Sequence, residues 1–334
     1  MTIQNKTKSI LEIKNLSIGI QKNNKILGLI DNVNLNLKEG ETFGLIGESG
    51  CGKTITALGI TGLLPEPNGK FLSGEILLNL GEKQINVFSL TKKELQEIRG
   101  VEIGVIFQEP SMALNPLYTI GFHINEIYKF HKEKIFIKNI DFYQRVEYLL
   151  KRVGFSNPKK VLESYPHQLS GGMLQRIVIL LALLLKPKLL IADEPTTALD
   201  VTIQAQIMNL LLTLKEEEKT TILLITHNIG LLAQYADRLA VMYAGRVIEE
   251  SKIETFLNNP LHPYSKGLID SIPELDKEKK INGISGSVPS PEEYLEGCRF
   301  SNRCEYKFEL CSKKPEKFQF RSNHFVYCWK YNPH

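Results

Sequence analysis

The stretch "GESGCGKT", Gly47 to Thr54, sets G-x-x-x-x-G-K-T between a short apolar run and a helical one. Glycines at positions 47, 50 and 52 let the main chain curl so that N–H groups face inward at a helix N-terminus, where the dipole favours an anion. The loop Gly47, Glu48, Ser49, Gly50, Cys51 and Gly52 would thus wrap a nucleotide phosphate. Lys53 would reach the β- and γ-phosphates, and the Thr54 hydroxyl would bind Mg²⁺. Cys51 stands where its backbone amide matters, so its side chain reads as a small filler and not a nucleophile. A second stretch, "LLIADEP", ends an apolar run in two carboxylates: Asp193, suited to the metal, and Glu194 beside it, facing the γ-phosphate. Phosphoryl transfer asks a protein mainly to position groups and neutralise charge, which makes Glu194 the group to orient or deprotonate the attacking water.

The elements needed to hold these residues are legible in outline. "ILEIKNLSIGI" (10 to 20) and "DNVNLNLKEGE" read as strands, and "ETFGLIGESGCGKTITALGITGLL" passes from a short strand through glycines into a helix. Residues 140–155, 160–185 and 202–218 have helical character, while "PKLLIADEP" and "TTILLITHN" are short strand-like runs. Strands alternating with helices indicate an α/β fold with a parallel sheet covered on both faces. "RLAVMYAGRVIEE" reads as a hairpin turning at Ala244-Gly245. From about residue 252 prolines punctuate the chain and periodicity weakens, so a boundary is expected there, dividing it into 1–251 and 252–334.

Composition is that of an ordinary globular chain: 334 residues, 43% apolar and 23% charged, with a formal net charge of +4. That charge is too mild to argue for nucleic acid. The N-terminal stretch has no apolar core of a secretory signal. The longest apolar run, Ile177 to Leu185, has nine residues where a membrane helix needs roughly 20. A cytosolic setting follows as an expectation, and there a cysteine cluster is more often a metal or redox site than a disulfide framework. Four of the five cysteines (Cys298, Cys304, Cys311 and Cys328) fall in the last 37 positions, spaced C-x5-C-x6-C-x16-C. Four thiolates suit tetrahedral zinc or a [4Fe–4S] cluster, and the spacing matches neither a zinc knuckle nor the common ferredoxin runs. From Cys298 onward eight Lys or Arg stand against three Asp or Glu, a basic surrounding that would offset a tetrathiolate cluster. His324 could replace one cysteine as a ligand, but in a turn-like stretch it reads as a bystander.

Three further stretches sharpen the class. "QLSGGMLQR" places Ser170, Gly171 and Gly172 at a helix start, where small residues admit a phosphate closely and Ser170 suits an N-cap. "VIFQEP" puts Gln108 at a strand end, and "LLITHN" does the same for His227. With these in order, the chain resembles the ATP-binding subunits of ABC transporters over residues 10–250. The resemblance implies a P-loop NTPase (RecA-like) ABC ATPase domain with antiparallel β and helical subdomains, the helical one at about 110–170, plus a small Cys-rich C-terminal extension. It implies that Gln108 contacts Mg²⁺ and the lytic water. Ser170 and Gly172 would meet the γ-phosphate of a nucleotide held by another subunit. Asp200 would lie at the dimer interface, and His227 would hold the γ-phosphate and water. Two positions depart from the family: Ile20 stands where an aromatic usually stacks on adenine, and Asn228 follows the histidine where Asp is usual.

Within this group, "FQEPSMALNPLYTIG", "LHPYSKGL" and "GCRFSNRC" resemble the dipeptide, oligopeptide and nickel importer ATPases. That implies an ATP- and Mg²⁺-dependent ATPase on the cytoplasmic face of the cell membrane. Its expected partners are a second, homologous ATPase (a heterodimer, with a homodimer possible in isolation) and two transmembrane permease subunits. An extracytoplasmic solute-binding protein would deliver the solute, and no nucleic acid is expected. Peptide is the first expectation for the solute, and nickel or a metal chelate the alternative. A soluble ABC ATPase of DNA repair or translation is more remote, since the chain has one cassette and no heptads. The tail's resemblance favours a [4Fe–4S] cluster on the four cysteines over zinc, acting as a staple for an extension with little core of its own.

Overall fold

The computed structural model describes residues 8–81, 83–196, 200–271, 283–321 and 323–332. Along the chain come β1 (Ser9–Lys22), β2 (Lys25–Lys38), β3 (Thr42–Ile46), α1 (Lys53–Thr61), β4 (Gly69–Leu80) and β5 (Lys83–Asn86). Then follow α2 (Lys92–Ile98), β6 (Ile103–Ile106), α3 (Ile120–Ile137), α4 (Phe142–Arg152), α5 (Pro158–Glu163), α6 (Gly171–Leu183) and β7 (Leu189–Asp193). The remainder is α7 (Val201–Glu218), β8 (Thr221–Thr226), α8 (Ile229–Tyr235), β9 (Arg238–Tyr243), β10 (Arg246–Lys252), α9 (Ile253–Asn258), α10 (Pro263–Asp270), β11 (Phe318–Arg321) and β12 (His324–Val326). The described residues fall into two compact units, one within 1–10, 38–40 and 89–223, the other within 11–37, 41–88 and 224–334.

In the first unit β6 and β7 pair in parallel, from Ile103 opposite Leu189 to Ile106 opposite Ala192. Every residue of β7 is buried, as an apolar strand covered on both faces must be. The apolar run read from the sequence is α6, whose Ile177, Ile179, Leu180 and Leu183 are each at most 1% exposed. It packs against β6, α4 and α7, while α3 packs against α5. Side-chain caps start the helices where the sequence supplies them: Ser170 for α6, Asp200 for α7 and Asp141 for α4. No membrane-crossing helix occurs among the described residues.

In the second unit an antiparallel sheet runs in the order β2-β1-β4-β5. Its register sets Leu11 opposite Leu78 and Ile13 opposite Ile76, all four buried, so one face of the sheet is apolar. β3 pairs in parallel with β9, from Phe43 opposite Arg238 to Ile46 opposite Val241, and every residue of β3 is buried. β9 and β10 form the expected hairpin, with Ala244 at φ +46° and Gly245 at φ +78°, the left-handed pair a tight two-residue turn requires. β12 then adds to β10 antiparallel, Glu249 opposite Val326 and Glu250 opposite Phe325, and β11 adds to β12. The sheet is therefore mixed and not purely parallel, because the chain after β9 turns back on itself and brings its C-terminal strands to the same edge.

Candidate functional site

Gly47 follows the buried β3 directly, and Lys53 opens α1. The N-terminus of α1 has no side-chain cap; its N-cap is Gly52 at φ +110°. Its first N–H groups thus stay oriented for an anion and are not tied to a neighbouring oxygen. Gly47 is dictated by space, since a Cβ there would lie 2.2 Å from the Met242 carbonyl oxygen and 2.6 Å from Cys51 Sγ. The Lys53 ammonium is buried and donates to the carbonyls of Gly47 at 2.8 Å and Glu48 at 3.1 Å. The loop thereby holds its own cation in place before any phosphate arrives. Thr54 is exposed beside it. Cys51 is 0% exposed, burial pushes its thiol pKa up, and its carbonyl accepts from the Gly245 N–H at 2.8 Å. A protonated, enclosed thiol is packing material and not a nucleophile.

Also in this unit, His227 follows β8 and is exposed. Asn228, where the family has Asp, is the N-cap of α8, its side-chain oxygen accepting from the Leu231 N–H at 3.2 Å. Asn caps a helix as well as Asp does, which accounts for the exchange locally. Ile20 lies half-buried in β1 opposite Gly69.

In the first unit Asp193 ends β7 with 4% exposure, and Glu194 turns at once into the left-handed region with φ +48°. A non-glycine residue held there costs free energy and persists where its surroundings determine it. Gln108 Nε2 donates to Glu194 Oε2 at 3.4 Å, bringing together two of the residues singled out from the sequence. Ser170 Oγ accepts from the Met173 N–H at 3.4 Å, and Asp200 accepts from the Ile203 N–H at 2.9 Å. Gly171 and Gly172 form the first turn of α6, and a Cβ on Gly172 would stand 3.4 Å from Ile203 at the start of α7. Gln175, passed over in the sequence, is 2% exposed and donates to the Pro195 carbonyl at 2.6 Å, fixing the residue after Glu194. A polar side chain on the apolar face of α6 was the available signal.

The four tail cysteines sit in separate turns. The Cys298 N–H donates to the Cys311 carbonyl at 2.9 Å, and the carbonyls of Cys298, Cys304 and Cys328 accept from Ser301, Lys307 and Tyr331. Burial pushes the Cys298 thiol up to about 11, and Cys311, Cys328 and Cys304 push it the same way. Cys304 and Cys328 are likewise raised, by burial first and then by neighbouring thiols. The thiols are thus electrostatic neighbours. Yet among the described residues no group of three or more His, Cys, Asp or Glu side chains is arranged to hold a metal ion. The expected tetrathiolate set is not assembled among the described residues, and burial favours the protonated thiols of Cys298, Cys304 and Cys328. His324, weighed as a ligand or a turn bystander, is neither: it lies in β12, 1% exposed, with Nε2 2.8 Å from Glu249 Oε1.

The ABC transporter family matches residues 30–197, and the oligopeptide/dipeptide transporter C-terminal region matches residues 248–311. An oligopeptide transport ATP-binding protein of Bacillus subtilis (strain 168), AppD, is 44% identical over 325 residues, 97% of each chain. A dipeptide transport ATP-binding protein of the same organism, DppD, is 41% identical over 322 residues, 96% of this chain and 94% of its own. Among solved structures, a dimeric ATP-binding cassette in a post-hydrolysis state with ADP and Pi aligns with a TM-score of 0.60 and 30% identity. It covers 73% of this chain and 98% of that one. Fold and motifs together define an ABC-type ATPase cassette. More narrowly, the chain belongs to the family of ABC transporter ATP-binding proteins that carry the oligopeptide/dipeptide transporter C-terminal region.

Proposed function

We propose that the chain hydrolyses ATP to energise the uptake of dipeptides or oligopeptides. The observation that carries ATP binding is the buried Lys53 ammonium, held on its own loop carbonyls at the uncapped N-terminus of α1. Peptide as solute is supported by the names of relatives above 40% identity and by the matched C-terminal region.

In this reading the loop Gly47 to Thr54 wraps the phosphates, the N–H groups at the start of α1 bind them, and Lys53 neutralises the β- and γ-phosphate oxygens. Thr54, Asp193 and Gln108 would hold Mg²⁺, which would screen the charge that builds on the leaving β-phosphate. Glu194 orients a water and accepts its proton as the water oxygen attacks the γ-phosphorus. The bond from that phosphorus to the β,γ-bridging oxygen breaks, leaving ADP and inorganic phosphate. Gln108, hydrogen-bonded to Glu194, helps hold that carboxylate, and His227 binds the γ-phosphate. Ser170, Gly171 and Gly172, with Asp200, meet the nucleotide of a second, homologous ATPase. Two permease subunits and an extracytoplasmic binding protein complete an importer whose ATPases lie on the cytoplasmic face. Ile20 supplies an aliphatic contact for adenine. Functionally, residues 1–251 are the ATP-binding domain and 252–334 the extension.

For the tail we propose a [4Fe–4S] cluster, with zinc as the alternative, supported by the crowding of four of the five cysteines into the last 37 positions and the excess of Lys and Arg among them. A cluster would require all four as thiolates and would act as a staple. Iron, sulfide and zinc analysis of anaerobically purified protein decides it: iron and sulfide with a visible absorption band are expected, and colourless protein with stoichiometric zinc overturns it. The transport reading is tested by ATP-dependent uptake in vesicles bearing the whole importer. Labelled di- and oligopeptides should accumulate; accumulation of nickel alone would overturn peptide as the solute.

A further inference from the structure

The cysteine-bearing tail grips the phosphate loop at two points. Arg303, the residue before Cys304, donates from Nη1 to Glu48 Oε2 at 3.0 Å and from Nη2 to Glu48 Oε1 at 3.3 Å. Such a two-pronged pair fixes direction as well as distance, which a single ammonium would not. The Arg303 side chain is only 8% exposed and also donates to the carbonyls of Ile284, Ser285 and Gly286. Glu48 is held a second time through its main chain, its N–H donating to Tyr264 Oη at 2.9 Å. The Glu48 carbonyl in turn accepts from Lys53 Nζ. One connected path therefore runs from the tail through Glu48 to the phosphate-binding lysine.

The second grip is indirect, through the β9–β10 turn. Arg299 donates to the carbonyl of Ala244, and the N–H of the next residue, Gly245, donates to Cys51. Between the two arginines Phe300 is 3% exposed and packs its ring 5.2 Å from Tyr243, 5.5 Å from Tyr264 and 5.6 Å from His262. The turn from Cys298 to Cys304 is thus anchored in the body of the unit and not hung from it. A carboxylate in the second position of a loop meant for anions needs restraint, because left free it would compete with phosphate for Lys53. Arg303 supplies that restraint.

We propose that Arg303 is a positioning residue for ATP binding: by clamping Glu48 it keeps this carboxylate off the phosphate path and fixes the carbonyl that orients Lys53. The proposal rests on the reading of Gly47–Thr54 as the ATP phosphate loop. It is tested on the full-length chain by ATP affinity, ATPase kinetics and melting temperature for Arg303→Ala, Arg303→Lys, Glu48→Gln and the double variant Arg303→Ala/Glu48→Gln, with Lys53→Ala as reference. Arg303→Ala is expected to weaken ATP binding about tenfold and raise KM in step, with kcat changed less than twofold. Arg303→Lys should recover part of the loss, and Glu48→Gln should remove most of the penalty, since the neutral side chain no longer competes. Should Arg303→Ala fail to fold, Arg303→Lys and Glu48→Gln still carry the comparison. ATP affinity of wild-type strength in Arg303→Ala, or a double variant as weak as the two losses added, overturns the proposal. If Lys53→Ala itself binds ATP normally, it is the phosphate-loop reading that falls.

Discussion

His324 Nε2 and Glu249 Oε1 lie 2.8 Å apart, with side chains 1% and 0% exposed. The same carboxylate accepts from the N–H groups of Leu261 and His262, each at 2.8 Å. One buried group thus ties β10, the start of α10 and the last strand of the chain. Removing one partner of a buried, hydrogen-bonded pair typically costs about 3–5 kcal/mol, because the survivor stays buried and unmatched. Urea unfolding of Glu249→Ala and His324→Ala should show losses of that order, and the double variant should lose less than their sum. Losses near zero in both would show that the tail is not fastened there.

His262 offers a pH signature. It is fully buried; burial depresses its pKa from 6.5 to about 4, with Glu249 opposing. Its Nδ1 accepts from the Tyr264 N–H at 3.1 Å, which fixes the neutral tautomer at the N-cap of α10. A base with a depressed native pKa leaves the folded state short of a proton that the unfolded chain takes up. Its contribution is therefore neutral above pH 6.5, and stability falls from there toward about pH 4, by on the order of 3 kcal/mol. His262→Asn, which can still cap, should flatten that part of the stability–pH curve. A wild-type minus variant difference that stays constant from pH 4 to 6.5 would sink this account.

Gln175 holds the carbonyl of Pro195, next to Glu194. Gln175→Ala is expected to lower kcat about tenfold with little change in KM for ATP, since positioning of Glu194, the proposed general base, is lost while phosphate contacts remain. A raised KM at unchanged kcat would place Gln175 with nucleotide binding instead.

Gly47→Ala should abolish ATP binding without unfolding the chain. Its Cβ would collide with the Met242 carbonyl at 2.2 Å, so the loop must shift rather than absorb the methyl. Equilibrium binding of ATP and a melting curve separate the two effects, and wild-type affinity would contradict the described loop.

The sequence disclosed residues whose chemistry demands fixed local spacing. Gly47 to Thr54, Asp193 with Glu194, and Ser170 as a cap are all readable because each acts within a few residues of its neighbours. The Ala244-Gly245 turn was readable for the same reason. What escaped was long-range pairing: Arg303 and Glu48 are 255 residues apart, and no local pattern joins them. β11 and β12 were hidden because four- and three-residue strands show no periodicity and form by long-range pairing, β12 against β10 and β11 against β12. The parallel pairing of β3 with β9 and of β6 with β7 and the antiparallel β9–β10 hairpin match what the sequence suggested, and the added antiparallel strands extend that sheet. Of the four cysteines the sequence gives spacing, while the burial of Cys298, the half-burial of the other three and the lack of a metal-holding group among the described residues depend on the fold.

The central claim is that Glu194, set at φ +48° and hydrogen-bonded to Gln108, drives the ATP hydrolysis that powers uptake. Its most direct test is the Glu194→Gln variant in vesicles carrying the whole importer, with ATP hydrolysis and peptide uptake measured on the same preparation. Hydrolysis should fall at least about 100-fold and uptake with it, while ATP affinity stays within about threefold of wild type. Normal hydrolysis with continuing uptake in that variant would contradict the account.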